Sequence, residues 1–149
     1  MWISLLIVAG ILFVSIACLA WQIDDWSRDF VQNRAATSAD AANAALRPIK
    51  ADVPPGQVAR LIEEVVDDLR GWQIESQSES ETRIQFMLTR TSRLFRFVDN
   101  VTVRIEPTAD GCVINATSQS RVGKGDLGQN PRNIAELFSA IRKRLAGKQ

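Results

Sequence analysis

The chain has 149 residues, about one domain's worth, with 18 Lys+Arg against 17 Asp+Glu, two Cys, and neither His nor Tyr. The missing histidine excludes a Ser-His-Asp triad, a Cys-His pair, an imidazole metal site and an imidazole proton shuttle. The near-neutral total conceals an asymmetry, since residues 1–82 carry 6 Lys/Arg and 12 Asp/Glu while residues 83–149 carry 12 and 5.

Residues 2–21, WISLLIVAGILFVSIACLAW, contain no charge and are closed by a tryptophan at each end. A helix of that length spans roughly 30 Å, the hydrocarbon thickness of a bilayer, and indole rings favour the headgroup layer. A cleaved signal peptide has a basic start and a shorter apolar run, and lipidation at Cys18 needs an apolar residue where Ser15 stands. The favoured reading is a retained transmembrane anchor over residues 1–22. Arg28 and Arg34, diluted by Asp24, Asp25 and Asp29, lean weakly toward a cytoplasmic domain. Ile23, Trp26 and Phe30 share a helical face and extend the anchor either along the interface or as a plain helical continuation.

Residues 35–52, AATSADAANAALRPIKAD, are small and polar, so residues 23–52 read as an interfacial segment and an Ala-rich tether. The globular part is then 53–149. Pro54 and Pro55 open a helix and Gly71 closes it; Val58, Leu61, Ile62, Val65 and Leu69 form its buried stripe. Glu63, Glu64, Asp67 and Asp68 make its wet face. Trp72–Gln77 reads as a strand and Ser78–Glu81 as a turn. In Arg83–Arg90 the residues Ile84, Phe86 and Leu88 share one side. The phase breaks near 91–93, and from Phe95 to Ile105 the odd positions carry the apolar set, Phe95, Phe97, Val101, Val103 and Ile105. Residues 106–112 make a hairpin connection containing Asp110-Gly111. Cys112, Ile114 and Ala116 point inward from the last strand, which runs to about Val122. Asn130 is the expected cap of a final helix with Pro131 at its first position, and Ile134, Leu137, Phe138, Ile141 and Leu145 are its stripe. Arg142, Lys143 and Arg144 suit its C-terminal dipole. The expectation is a transmembrane helix plus a small two-layer α+β domain, in the order α-β-β-β-β-α, with an antiparallel four-stranded sheet and both helices on one face.

Two stretches carry a resemblance. TSRLFRFVDNVTVRI (91–105) and SQSRVGKGDLGQNPRNI (118–134) resemble the domain of unknown function 1499 family of bacteria and plastids. That pattern has an Arg-Phe-x-Asp-Asp strand, then Arg-Ser-x-Ser-Arg-x-Gly-x-x-Asp-Leu-Gly-x-Asn and an Arg-Ile helix start. This chain departs from it at Asn100, in place of the second Asp, and at Thr117 and Asn133, where Arg is frequent. The resemblance implies no established activity. It implies an N-terminal anchor or export signal, which shifts the expected side of the inner membrane to the periplasm.

Four groups of residues are candidates for chemistry. Gly123–Gly128, GKGDLG, has the glycine spacing of a dinucleotide loop, but no βαβ unit follows it and the chain offers no later strand. A compact loop held by its own Asp126, or an anion site using Gly123, Lys124 and Gly125 with Arg121 and Arg132, are the two remaining readings. Asp99 lies within an apolar set and, if the hairpin is tight, opposite Ser120. A buried carboxylate needs a partner, expected among Ser118, Ser120, Arg121 and the Gly123–Gly128 backbone. Asp99 is read as a structural lock first, and with Asp126 as a hydrolytic pair second. Arg90, Arg93 and Arg96 crowd the phase break and, with Arg104, Arg121, Lys124 and Arg132, supply most of the basic excess. Arginine suits phosphate and carboxylate recognition, so anionic lipid or an acidic membrane-protein partner is expected, and nucleic acid is not. Cys18 and Cys112 have neither disulfide nor metal-ligand spacing, and no cofactor or metal is read. The expected function is a membrane-anchored accessory or binding module, with a small hydrolase-like envelope enzyme as the alternative.

Overall fold

The computed structural model describes residues 7, 10, 11, 13 and 14 together with 33–93, 96–121 and 128–147. In chain order the domain consists of β1 (Arg34–Ala36), a 3-10 turn (Ala44–Leu46), β2 (Ile49–Ala51), α1 (Pro55–Asp68), β3 (Trp72–Ser80), β4 (Arg83–Thr91), β5 (Val98–Thr108), β6 (Gly111–Ser120) and α2 (Gln129–Ala146). The architecture is α+β. Its sheet is antiparallel, in the order β1-β6-β5-β4-β3, with β2 also on β6.

Period-two alternation decides which side of each strand meets the helices. Ile84, Phe86 and Leu88 of β4, Val101, Val103 and Ile105 of β5, and Cys112, Ile114 and Ala116 of β6 are buried. They pack against Val58, Leu61, Ile62 and Val65 of α1 and Ile134, Leu137, Phe138 and Ile141 of α2, in one continuous core. Leu69 and Leu145 are only partly buried at its margin. The other side of the sheet carries Gln85, Thr102, Arg104, Asn115 and Thr117.

Several sequence expectations are corrected. β3 runs on through Ser80, paired with Arg83, instead of turning at Ser78–Glu81, and β6 ends at Ser120 instead of Val122. The sheet has six strands rather than four, because part of the expected Ala-rich tether belongs to it. Ala35 pairs with Ser118 and Ile49 with Ile114, and Ala35, Leu46, Ile49 and Ala51 are all in the core. The edge of β6 presents main-chain donors and acceptors that two three-residue strands satisfy in tandem. Small side chains suit such a tight edge, which composition alone does not reveal. The strand after the phase break starts at Val98, leaving Phe97 outside it and exposed, and the hairpin narrows to Ala109-Asp110, since Thr108 already pairs with Gly111. α2 begins at Gln129, with Gly128 at φ +75° as its N-cap; Asn130 is inside the helix with its side chain turned into the protein.

Among the described residues no helix is long and apolar enough to cross a membrane. Most of the apolar run 2–21, and Ile23, Trp26 and Phe30, lie outside those residues. Ile7, Gly10, Ile11, Phe13 and Val14 are helical, and the four large side chains among them are exposed.

Two outcomes follow from this packing. Leu46→Ala should cost about 2–3 kcal/mol in urea unfolding, as for any buried leucine; a cost near zero would return this segment to the status of a tether. At Gly111, with φ +146°, an added Cβ would meet the Ala51 carbonyl oxygen at 2.1 Å and Asp52 Cα at 2.9 Å. Gly111→Ala should therefore lose at least about 2 kcal/mol, whereas Gly56→Ala, with nothing within 4 Å, should be neutral or stabilising.

Candidate functional site

Strand register gathers the polar residues of the core at one end of the sheet. Asp99 of β5 faces Ser120 of β6 on one side and Arg90 of β4 on the other. The Asp99–Ser120 pairing is the one that a tight hairpin requires. Asp99 is only 2% exposed, in a place where an ionised carboxylate needs a donor. The donor comes from α2. Asn133 Nδ2 donates to Asp99 Oδ2 at 2.8 Å and to Ser118 Oγ at 3.2 Å. Ser118 Oγ donates to Asn130 Oδ1 at 2.6 Å, and Asn130 Nδ2 donates to Ser120 Oγ at 3.1 Å. Gln129 Nε2 donates to Asn133 Oδ1 at 2.7 Å, and Arg132 Nη2 to Gln129 Oε1 at 3.3 Å.

This network also holds the start of the domain. The Asn33 carbonyl accepts from Asn130 Nδ2 at 2.7 Å and from the Ser120 amide at 3.0 Å. Asn33 therefore sits at the same sheet end as Thr91, Val98 and the N-terminus of α2.

A second branch lies beside it. Arg90 Nε pairs with Glu136 Oε2 at 3.1 Å, and Trp72 Nε1 donates to the same oxygen at 3.2 Å. Arg90 also donates to the Thr91 carbonyl, and its side chain is 12% exposed. On the open side of the sheet, Arg121 pairs with Glu75 at 2.7 Å and donates to Asn100 Oδ1 at 2.7 Å. The bulge between Ile74 and Ser76 sits at Glu75.

The candidate residues thus divide. Asp99 lies with Ser118 and Ser120 as expected, but its donor, Asn133, was not among the partners expected from the sequence. Arg90, Arg121 and Arg132 are engaged with the protein itself. Arg104 lies away from this end, donating to Gln85 at 3.2 Å in mid-sheet. Arg93 and Arg96 are exposed in the β4–β5 connection, and neither forms an ion pair or side-chain hydrogen bond among the described residues. Gly123, Lys124, Gly125 and Asp126 lie outside the described residues.

Sequence reasoning met Asn133 only as a departure from the family pattern, not as the donor to Asp99, and did not single out Glu136. The only signal for Asn133 is its spacing, three residues after Asn130 on the face of α2 that also carries Ile134 and Leu137.

The family model described as protein of unknown function (DUF1499) matches residues 26–141. The chain belongs to this family. No curated protein matches it. Against the DUF1499 pattern, two departures now have a structural setting. Asn133, where arginine is frequent, meets Asp99 with an amide instead of a charge, and Asn100, in place of the second Asp, accepts from Arg121.

The arrangement is suited to holding elements together. Ser118 Oγ is directed at an amide oxygen rather than at a base, and Asp99 is closed off from solvent. Among the described residues no three His, Cys, Asp or Glu side chains gather in a way that would hold a metal ion. Burial in β6 pushes the Cys112 thiol up, away from the reactive thiolate. A groove of about 460 Å³ lies at the opposite end of the domain, lined by Lys50, Asp52, Gln57, Leu61 and Leu145 among others, and touches none of the candidate residues.

Asn133→Leu should cost about 3 kcal/mol or more in chemical denaturation, because it strands a buried carboxylate and the Ser118 hydroxyl. Asp99→Asn, which keeps an oxygen acceptor toward Asn133, should cost clearly less. Equal losses would show that the Asp99–Asn133 bond is not the connection that matters.

Proposed function

We propose that this protein is a membrane-anchored accessory or binding module, held by residues 2–21 as a single-pass segment of the inner membrane. Its domain lies on the periplasmic side, the side suggested by the family resemblance. The observation that carries this reading is the position of Asn33. Its carbonyl is fixed to Ser120 and Asn130 at the sheet end that also carries Arg93 and Arg96, so the apolar segment leads into the basic end of the domain. The uncharged run and the exposed helical side chains of Ile7, Ile11, Phe13 and Val14 support a bilayer environment. The alternative of a hydrolase acting through Asp99 and Asp126 is disfavoured by the burial of Asp99 and its bond to Asn133.

The full chain should remain with the membrane pellet after alkaline carbonate extraction, and removal of residues 2–21 should release it. In intact membranes, a photo-crosslinking residue at position 96 should capture a membrane component, and one at position 50, at the far end, should not. Extraction of the full chain by carbonate, or equal capture from both ends, would overturn the reading.

A further inference from the structure

The side of the sheet turned away from the helices is polar and uncovered. Register places Asn115 of β6, Arg104 of β5, Gln85 of β4 and Ser78 of β3 in one row across it. Thr117, Thr102, Met87 and Ser76 form the row beside it. At the usual strand spacing each row runs for roughly 14 Å. Both helices pack on the opposite side. The members on β4, β5 and β6 are half-buried, and the two serines are exposed.

The hydrogen bonds of this surface leave donors over. Arg104 Nε donates to Gln85 Oε1 at 3.2 Å. Gln85 Nε2 and Thr102 Oγ1 both donate to Met87 Sδ, at 3.9 and 3.4 Å. Thr37 Oγ1 donates to Asn115 Oδ1 at 3.1 Å and accepts from the Ala116 amide at 3.1 Å. Both side-chain amide oxygens of the row thus already accept a bond. Without a partner among the described residues are the two terminal nitrogens of Arg104, the Asn115 amide nitrogen and the Thr117 hydroxyl. Register sets these groups side by side, Arg104 against Asn115 and Thr117 two residues further along β6. Glu106, the next residue of β5 on this face, is exposed and forms no ion pair among the described residues. Free donors gathered around one guanidinium complement an acceptor-rich anion.

We propose that this face binds a carboxylate-bearing saccharide, its carboxylate on the Arg104 terminal nitrogens and the Asn115 amide, its hydroxyls along the two rows. The planar fork of a guanidinium matches the two oxygens of a carboxylate. The surrounding hydroxyl and amide side chains, drawn from four strands, match a polyhydroxylated chain. A peptide finds neither of its usual footholds here. Main-chain groups of β4, β5 and β6 are paired within the sheet, and the two rows hold one apolar side chain, Met87, too little for side-chain pockets. The rows carry no aromatic ring on which a nucleobase would stack. Met87 lies between Thr102 and Ser76, where the C–H side of a sugar ring can rest. The site is on the flat side of the sheet, apart from the Asn33 end, and does not depend on the anchor.

The test titrates the full chain, in the presence of phosphatidylcholine nanodiscs, with trigalacturonate, its full methyl ester and triglutamate, read by calorimetry. Trigalacturonate should bind, and its ester, with the same ring hydroxyls and no charge, should bind about tenfold or more weakly. Arg104→Gln should lose about tenfold or more in affinity for trigalacturonate with the unfolding midpoint unchanged, because the one bond Arg104 makes to the protein is on this open face. Arg104→Lys, which keeps the charge and loses the fork, should lose less. Asn115→Asp, which sets a carboxylate beside Arg104, should abolish binding. Added salt should weaken binding of the acid and leave the ester unaffected. No heat from any of the three at millimolar concentration overturns the site. Equal binding of acid and ester, or an Arg104→Gln variant that binds as the parent does, overturns the role of Arg104. Triglutamate binding as tightly as trigalacturonate overturns the saccharide in favour of an acidic peptide.

Discussion

A carboxylate placed inside a protein must be answered, and in this domain the answer organises one whole end of the fold. Asp99 is set on the helix side of β5 by strand alternation, and Asn133 descends from α2 to meet it. The same amide group touches Ser118, whose hydroxyl passes the connection to Asn130, which in turn holds Ser120 and the Asn33 carbonyl. Four segments, namely the start of β1, β5, β6 and the first turn of α2, are tied by a few bonds in a water-poor setting. There each bond is worth more than at the surface and each missing one costs more. To the interdigitated apolar core the network adds directional bonds between α2 and the sheet.

That network has a consequence for the surface. Glu136, Glu75 and Asp99 are each satisfied internally or by Arg90 and Arg121, and Arg93 and Arg96 form no ion pair among the described residues. Exposed ion pairs contribute little to stability, so Arg121 and Glu75 matter more for which charges they remove than for the bond they form. Ser92 and Phe97 are joined by two hydrogen bonds, and Arg93 and Arg96 are exposed next to them.

Much of this was legible beforehand. The helical stripe of Val58, Leu61, Ile62 and Val65, the alternation of Ile84, Phe86 and Leu88, and the opposition of Asp99 and Ser120 follow from periods of 3.6 and 2, which local sequence encodes directly. The family was legible too, through the Ser118–Asn130 stretch. The six-stranded sheet was not, since Ala35 and Ala51 carry no local sign that β6 has an open edge to fill. Nor was Asn133 as the donor to Asp99, because an amide within a helix reads as ordinary polar surface until the sheet beneath it is known. Asn130 looked like a cap because caps and inward-facing amides draw on the same residue type.

What the amino-acid order determined by itself is the class of the molecule: an apolar leader, an α+β body with two amphipathic helices and a meander of strands, no imidazole chemistry, and a basic second half. These are properties of composition and of short-range periodicity. Tertiary structure decided which arginines remain exposed without a partner among the described residues, which carboxylate is hidden, and at which sheet end Asn33 is held. Those outcomes depend on residues dozens of positions apart, such as Asn33 with Asn130 and Asp99 with Asn133, whose encounter is set by strand register and helix placement and by nothing in their immediate neighbours.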